Sequence, residues 1–457
     1  MASDSLKRRY LAKLFANLIG TAILLVIACI VPRGLGPKAY GDFQFLTDFS
    51  SRVTGFLEMG TSNCFYMKLS QRNQDFGLVS FYLSFTCLMS ILFMVFVGGA
   101  FAIGANTMLW PGQIPFYIYL AAIWGILSWW IQILNKVTDA YGVTVSSEIA
   151  KTIQRGIGVV FILALFLANQ LNLTNYFIYH YFILLFLGMG FIVVLERTGH
   201  IFRQSWKLSV TQIKAYTKEF YNYSHPLFVI VLFALIVGIM DRWLLQFFSG
   251  SVEQGFFGLS YRIGAICFLF TSAMTPLITR EFAIAFHEKD IAEMASLFRQ
   301  YVPRLYSIAA YFGCFIAVQA RSVTYILGGE AFQHAMLPVM IMAFFPIHQT
   351  YGQLTGSVFY ATGQTFLYRN IGITFMLVSL PVTYFLIAPP ENFGLGLGAT
   401  GLAIKLVVLQ FINVNIRLFF NSRLLHLKFM RYLGHQFLSV GVFLTLSFFA
   451  GFAVKKA

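Results

Sequence analysis

The sequence predicts an all-α polytopic membrane protein, and three observations lead there. Hydrophobic residues fill 58% of the 457 positions and charged residues only 11%. The apolar residues gather into runs of the ~20 residues that a helix needs to cross a ~30 Å hydrocarbon core. The cations sit in short segments between those runs, mostly in alternate segments, as the positive-inside bias requires. A mean hydropathy of +0.74 excludes an ordinary soluble domain.

Thirteen spans are expected, near 14–32, 41–66, 77–103, 114–134, 144–169, 175–195, 226–247, 253–278, 302–322, 333–359, 365–388, 395–418 and 434–453. The first follows Lys7, Arg8, Arg9 and Lys13. It is no cleaved signal peptide, because the run is long enough to span, no small-x-small site closes it and further spans follow at once. Residues 4–13 are expected to form a short interfacial helix. The second, fifth and tenth spans are the most polar, holding Asp48, Arg52 and Glu58, then Glu148 and Lys151, then His348. After the sixth comes the longest interruption, a basic stretch at about 196–225. It divides the chain, and no loop is long enough to be a separate soluble domain.

The net charge of +15 would suggest nucleic acid in a soluble protein, but here location explains it and nucleic acid is not an expected partner. With the N-terminus inside, most of the 32 lysines and arginines fall at cytoplasmic ends, Arg417 among them, and only Arg33, Lys38, Arg242, Arg321, Lys455 and Lys456 fall outside. Arg52, Arg262 and Lys405 fit neither class, lying deep inside apolar segments. A bare cation there costs at least ~2.5–3.5 kcal/mol, so it is expected to face a bundle interior or a wet cavity. The five cysteines, Cys29, Cys64, Cys87, Cys267 and Cys314, stand singly in apolar segments without metal-type or redox-type spacing, so no metal or cofactor is expected.

A faint repeat runs through the chain. Gly36, Gly41 and Phe43 at the first outside turn recur as Gly250, Gly255 and Phe257, 214 residues on and close to half the chain length. Parallel repeats around a cavity are one plan for a transporter.

Several short motifs lie in a matching order along the chain. They are Gly34-Leu35-Gly36-Pro37-Lys38-Ala39-Tyr40-Gly41; Asp241-Arg242 followed by Gly250 and Gly255-Phe256-Phe257; Leu327-Gly328-Gly329; and Gly398-Ala399-Thr400-Gly401. In these the chain resembles the polysaccharide flippases, O-antigen type, of the multidrug/oligosaccharidyl-lipid/polysaccharide exporter superfamily. The resemblance covers nearly the whole chain. It implies two six-helix lobes around a central cavity plus one or two C-terminal helices, here residues 1–205, 206–422 and 423–457. Only one such extra helix is found, so either a last helix is missing or this member has an odd count. The resemblance further implies alternating access in a bacterial inner membrane, carrying an undecaprenyl-pyrophosphate-linked glycan. Its expected partners are that substrate, the membrane lipids and the glycan polymerase machinery.

Such cargo needs cations for its diphosphate. Arg52 lies 11 residues past Gly41, roughly 16 Å along a helix and so near the middle of the core. Asp48, four residues earlier, is on the same face and offers an internal ion pair instead. Arg262 occupies the counterpart span, where Asp241 is its alternative partner. Lys405 has no acid nearby in sequence and cannot easily snorkel. Arg280 and Arg369 lie nearer the cytoplasmic ends, where they either receive the headgroup or obey topology. Glu58 and His348 are the other interior titratable groups, either coupling to an ion gradient or bonded within a packed helix.

Other motifs carry less. Gly396, Gly398 and Gly401 spell G-x-G-x-x-G without a strand before them or an acid after them, which argues against a nucleotide site. Asn172-Leu173-Thr174 is a glycosylation sequon without meaning in a bacterium. Trp124, Trp129 and Trp130 read as packing residues within a span. Within the same fold the rival function is a multidrug or small-solute exporter, which would favour an acidic pocket. A membrane glycan polymerase or ligase is disfavoured by the short outside loops, so the chain is not expected to be an enzyme.

Overall fold

The computed structural model describes residues 6–72, 75–199, 208–225, 228–267 and 269–456. Among them no strand occurs, and ten helices are long and apolar enough to cross a membrane. The helices are α1 (Leu6–Glu58), α2 (Thr61–Gln71), α3 (Phe76–Ala102), α4 (Asn106–Leu109), α5 (Pro115–Ala140), α6 (Thr144–Leu167), α7 (Leu173–Arg197), α8 (Val210–Ser224) and α9 (Phe228–Cys267). The second half holds α10 (Leu269–His287), α11 (Ile291–Val318), α12 (Ala320–Gly328), α13 (Met336–Met342), α14 (Phe345–Ala361), α15 (Thr365–Ile387), α16 (Gly398–Leu424) and α17 (Phe429–Lys456). This is the all-α polytopic membrane class expected from composition.

Local chemistry sets several starts. Asp75 accepts a bond from the Leu78 amide at 3.0 Å before α3, and Asp290 does the same for Glu293 at 2.7 Å before α11. Ser209 and Gln212 form a reciprocal capping box at α8, satisfying amides that a helix start leaves open. Pro115 opens α5, where its missing N–H is no loss.

Several boundaries differ from the expected spans. Residues 6–13 are the first turns of α1 rather than a separate interfacial helix, and residues 4 and 5 lie outside the described residues. The second span ends at Glu58 instead of 66, because Met59 (φ 47°) and Gly60 (φ 73°) turn left-handed. The eighth, drawn to 278, runs over the end of α9 and the start of α10, with residue 268 between them outside the described residues. An all-apolar window hides a break such as that at Met59 and Gly60. The ninth starts near Ile291, where Asp290 caps α11 and a first stretch with Glu293 and Arg299 is too polar for a hydropathy window. Within the basic stretch, α8 forms and buries Tyr216 and Phe220; it packs against α2 and α3. Arg203 and Lys207 lie outside the described residues.

The glycine repeat has a structural meaning. Gly36 breaks α1 at φ 71°, ψ 170°, and Gly250 breaks α9 at φ 77°, ψ −175°, a backbone region essentially reserved for glycine. Five residues further on in each copy, the contact is reciprocal: a Cβ on Gly41 would overlap the Ser251 carbonyl, and one on Gly255 the Pro37 carbonyl. Pro37 and Ser251 are themselves 214 residues apart, as are Gly41 and Gly255. The two turns therefore pack as equivalents about a local two-fold. In lipid, where burial gives helices little drive to associate, such close small-residue packing is a main source of adhesion.

The chain forms two compact units. The first holds residues 1–35 and 42–239, with a core drawn from α2, α3, α5 and α8. There Phe65 and Tyr82 stack at 4.3 Å, and the Thr61 and Tyr82 hydroxyls meet at 3.1 Å. The second holds residues 36–41 and 240–457. Its core is built by α10, α11, α14, α16 and α17 around Phe282, Phe298, Tyr306 and Tyr351.

Candidate functional site

Charges inside the spans define the candidate site, and each is described within its own unit. In the first, the Arg52 Nε donates to Asp48 at 2.6 Å, one helical turn back. This is the only bond its guanidinium makes to a described residue, and its side chain stays 34% exposed. The group lies against Gly238 of α9, where a Cβ would overlap it, so the missing side chain gives Arg52 its room. Glu58 is a separate cluster: Lys136 approaches it at 3.7 Å and Ser62 donates to it, while Lys136 also donates to Ser62 and, at 3.1 Å, to Asn63. Lys151 pairs with buried Glu148 at 2.7 Å.

In the second unit, Lys405 of α16 is buried to 3% exposure and donates to Asp241 of α9 at 2.5 Å. Thr383 of α15 donates to the other oxygen of Asp241 at 2.7 Å. Three helices thus meet at one neutralised charge, and Lys405 is locked rather than free. Asp241 is taken by Lys405 and Thr383, not by Arg262. Arg262 is half-buried and does have an interaction partner.

The remaining expected residues are dispersed. Arg280 is exposed beside Glu281 at 2.6 Å. Arg369 lies over the Phe366 ring at 4.4 Å and donates to Asn370. The His348 ring packs 5.0 Å from Phe411, with its Nδ1 buried and without a hydrogen-bond partner. So, within its units, the structure brings together Arg52 with Asp48 and Lys405 with Asp241.

Two cations assigned to span ends are in fact interior. Arg242 is 7% exposed. Its Nη1 donates to the Gln254 side chain at 3.0 Å across the Gly250 break, and it faces the Phe257 ring at 4.5 Å. Arg417 is 9% exposed, over the ring of Tyr368 at 4.2 Å. Neither partner is local enough to read from sequence.

Outside the spans, Lys68 and Arg72 of α2 clasp Glu219 of α8 at 2.7 and 3.1 Å. The Lys68 hydrogen bond, helped by Arg72, holds the Glu219 carboxyl below its usual range. Nearby, the Tyr216 hydroxyl donates to Asp75 at 2.7 Å. Burial, and then that bond, push the tyrosine up to about 12.

The glycine motif before α16 is a helix start, not a nucleotide loop: the Glu253 carboxylate accepts from the Ala399 amide at 2.7 Å. Trp129 is core and Trp124 packs on Phe43. Cys29, Cys64, Cys87 and Cys314 are free thiols.

No protein-family model matches the sequence, and no curated protein matches it. Solved structures do share its fold. A lipid II flippase, MurJ, in an inward closed conformation is 11% identical, with a TM-score of 0.67 over 96% of this chain and 91% of its own. An inward-facing multidrug resistance MATE transporter of the MOP superfamily is 15% identical, with a TM-score of 0.63 over 89% and 95%. A MOP-superfamily transporter from Pyrococcus furiosus, described as having a binding pocket of reverse polarity, is 13% identical with a TM-score of 0.51 over 91% and 93%. The chain therefore has the fold of MOP-superfamily transporters.

Proposed function

We propose that the protein is a transporter that carries an undecaprenyl-pyrophosphate-linked oligosaccharide across a bacterial inner membrane by alternating access of two helical lobes. The observation that carries this reading is Arg52. Its guanidinium sits well inside an apolar helix, bonds to Asp48 through Nε alone and keeps both Nη groups uncommitted in accessible space. A planar donor fork of that kind suits a phosphate, which it meets with two parallel bonds. The flippase among the fold relatives supports a lipid-linked cargo, the lipid tail remaining in the bilayer while the polar head is carried.

An exporter of drugs or other small solutes is the second reading. The MATE relatives support the fold equally, and Asp48 beside Arg52 gives a cationic solute an acid to meet. Arg52→Glu separates the two. If the cargo is a phosphate, the variant accumulates lipid-linked intermediate on the cytoplasmic side and loses surface glycan at normal protein level. Normal glycan output together with lost drug efflux would overturn the flippase reading.

A further inference from the structure

Arg417 is the described interior cation whose charge is least compensated. It lies in α16, seven residues before the helix ends at Leu424, about two turns from the C-terminus and so beyond the reach of that helix's dipole. Its side chain makes no hydrogen bond and no ion pair to any described residue, and its Nε is fully buried without a partner. The only compensation is the Tyr368 ring at 4.2 Å. A ring quadrupole replaces only a fraction of the hydration a guanidinium gives up, and an isolated buried charge ordinarily acquires a counter-ion.

The space for one is present. Gly372 of α15 lies one helical turn from Tyr368, and a Cβ built there would find a single neighbour within 4 Å, the Arg417 Nη2 at 3.9 Å. The donor edge therefore borders open room beside a residue with no side chain. The walls are fixed: Asn421, one turn after Arg417, donates to the Thr355 carbonyl of α14 at 2.9 Å, and Tyr368 packs on Phe359 and Tyr360 of the same helix.

We propose that Arg417, with Tyr368 as its platform and Gly372 as the opening, binds a phosphate group. The phosphate comes either from the diphosphate of a transported lipid or from an anionic lipid of the bilayer. Only the first source rests on the proposed function; the anion site does not.

The test uses the full-length protein in neutral detergent, melted with sodium pyrophosphate or with sodium chloride at equal ionic strength. A parallel arm compares nanodiscs of phosphatidylglycerol and phosphatidylcholine. Pyrophosphate should raise the wild-type melting temperature where chloride does not. Arg417→Gln should weaken the half-saturating concentration at least ten-fold, and Gly372→Val, which keeps the charge and fills the opening, should do the same. Stabilisation by phosphatidylglycerol alone, lost in both variants, assigns the site to bilayer lipid. No anion-specific stabilisation of the wild type, or unchanged affinity in Gly372→Val, overturns the proposal even if Arg417→Gln fails to fold. Cargo accumulation in cells is scored separately, so the transport reading can fail while the site stands.

Discussion

The pair Lys405–Asp241 allows a quantitative test of what an intramembrane charge does. At 2.5 Å and an effective dielectric of about 20, the attraction is roughly 7 kcal/mol, most of it offset by desolvation of both groups. Replacing one partner leaves the other buried and bare: Lys405 is 3% exposed, so Asp241→Asn should destabilise the protein by about 3–5 kcal/mol, and Lys405→Met by a similar amount. The double variant Lys405→Met/Asp241→Leu, with no charge left, should recover most of that loss. Thermal melting of the purified protein measures the cycle, and the interaction energy it yields isolates the pair. Surface glycan measured on the same four proteins adds the functional reading. If the pair serves only to join α9, α15 and α16, output returns with stability in the double variant. Two single variants that melt like the wild type would refute the reasoning, since they would mean that neither charge is buried as described.

Three further outcomes follow from specific contacts. Gly41→Ala and Gly255→Ala should each abolish stable accumulation of the protein, because a Cβ would overlap the Ser251 or Pro37 carbonyl, whereas Gly98→Ala, with nothing within 4 Å, should be neutral or stabilising by up to ~1 kcal/mol; quantitative blots of membrane fractions read this. The Glu219 carboxyl is held below its usual range, so its contribution is full above the unfolded carboxylate value and is lost as pH falls through the folded one. The melting advantage of wild type over Glu219→Gln should be flat above about pH 5 and shrink as pH falls below the unfolded carboxylate value of about 4.3; an advantage that does not shrink on acidification would contradict the clasp. Gly238→Ala should displace the Arg52 guanidinium and, on the proposed function, lower surface glycan as much as Arg52→Ala does, with no further loss in the double variant.

The sequence made the fold class legible because hydropathy reports directly on transfer into lipid, and that term decides where the helices lie. It also marked Gly36 and Gly250, since a backbone conformation closed to other residues leaves a residue-type signature. Breaks inside continuous apolar runs had no such mark. The turn at Met59 and Gly60 changes direction without changing polarity, and a hydropathy window runs through it. The helix α8 was hidden for the opposite reason. Its buried face is only Tyr216, Phe220 and Ser224, and the charges around it read as a loop.

At the charged positions, legibility followed sequence separation. Asp48 and Arg52 are four residues apart on one helix, so their pairing could be anticipated from periodicity alone. Asp241 and Lys405 are 164 residues apart, and nothing local connects them. Yet a signal was present: the two are opposite charges deep inside apolar spans, and their burial costs are relieved together where the helices meet. Applied to the described residues, the same charge balance singles out Arg417. Its span offers no acid, and the partner the fold supplies is a neutral ring, so compensation that the described residues do not provide is what the proposed phosphate would bring.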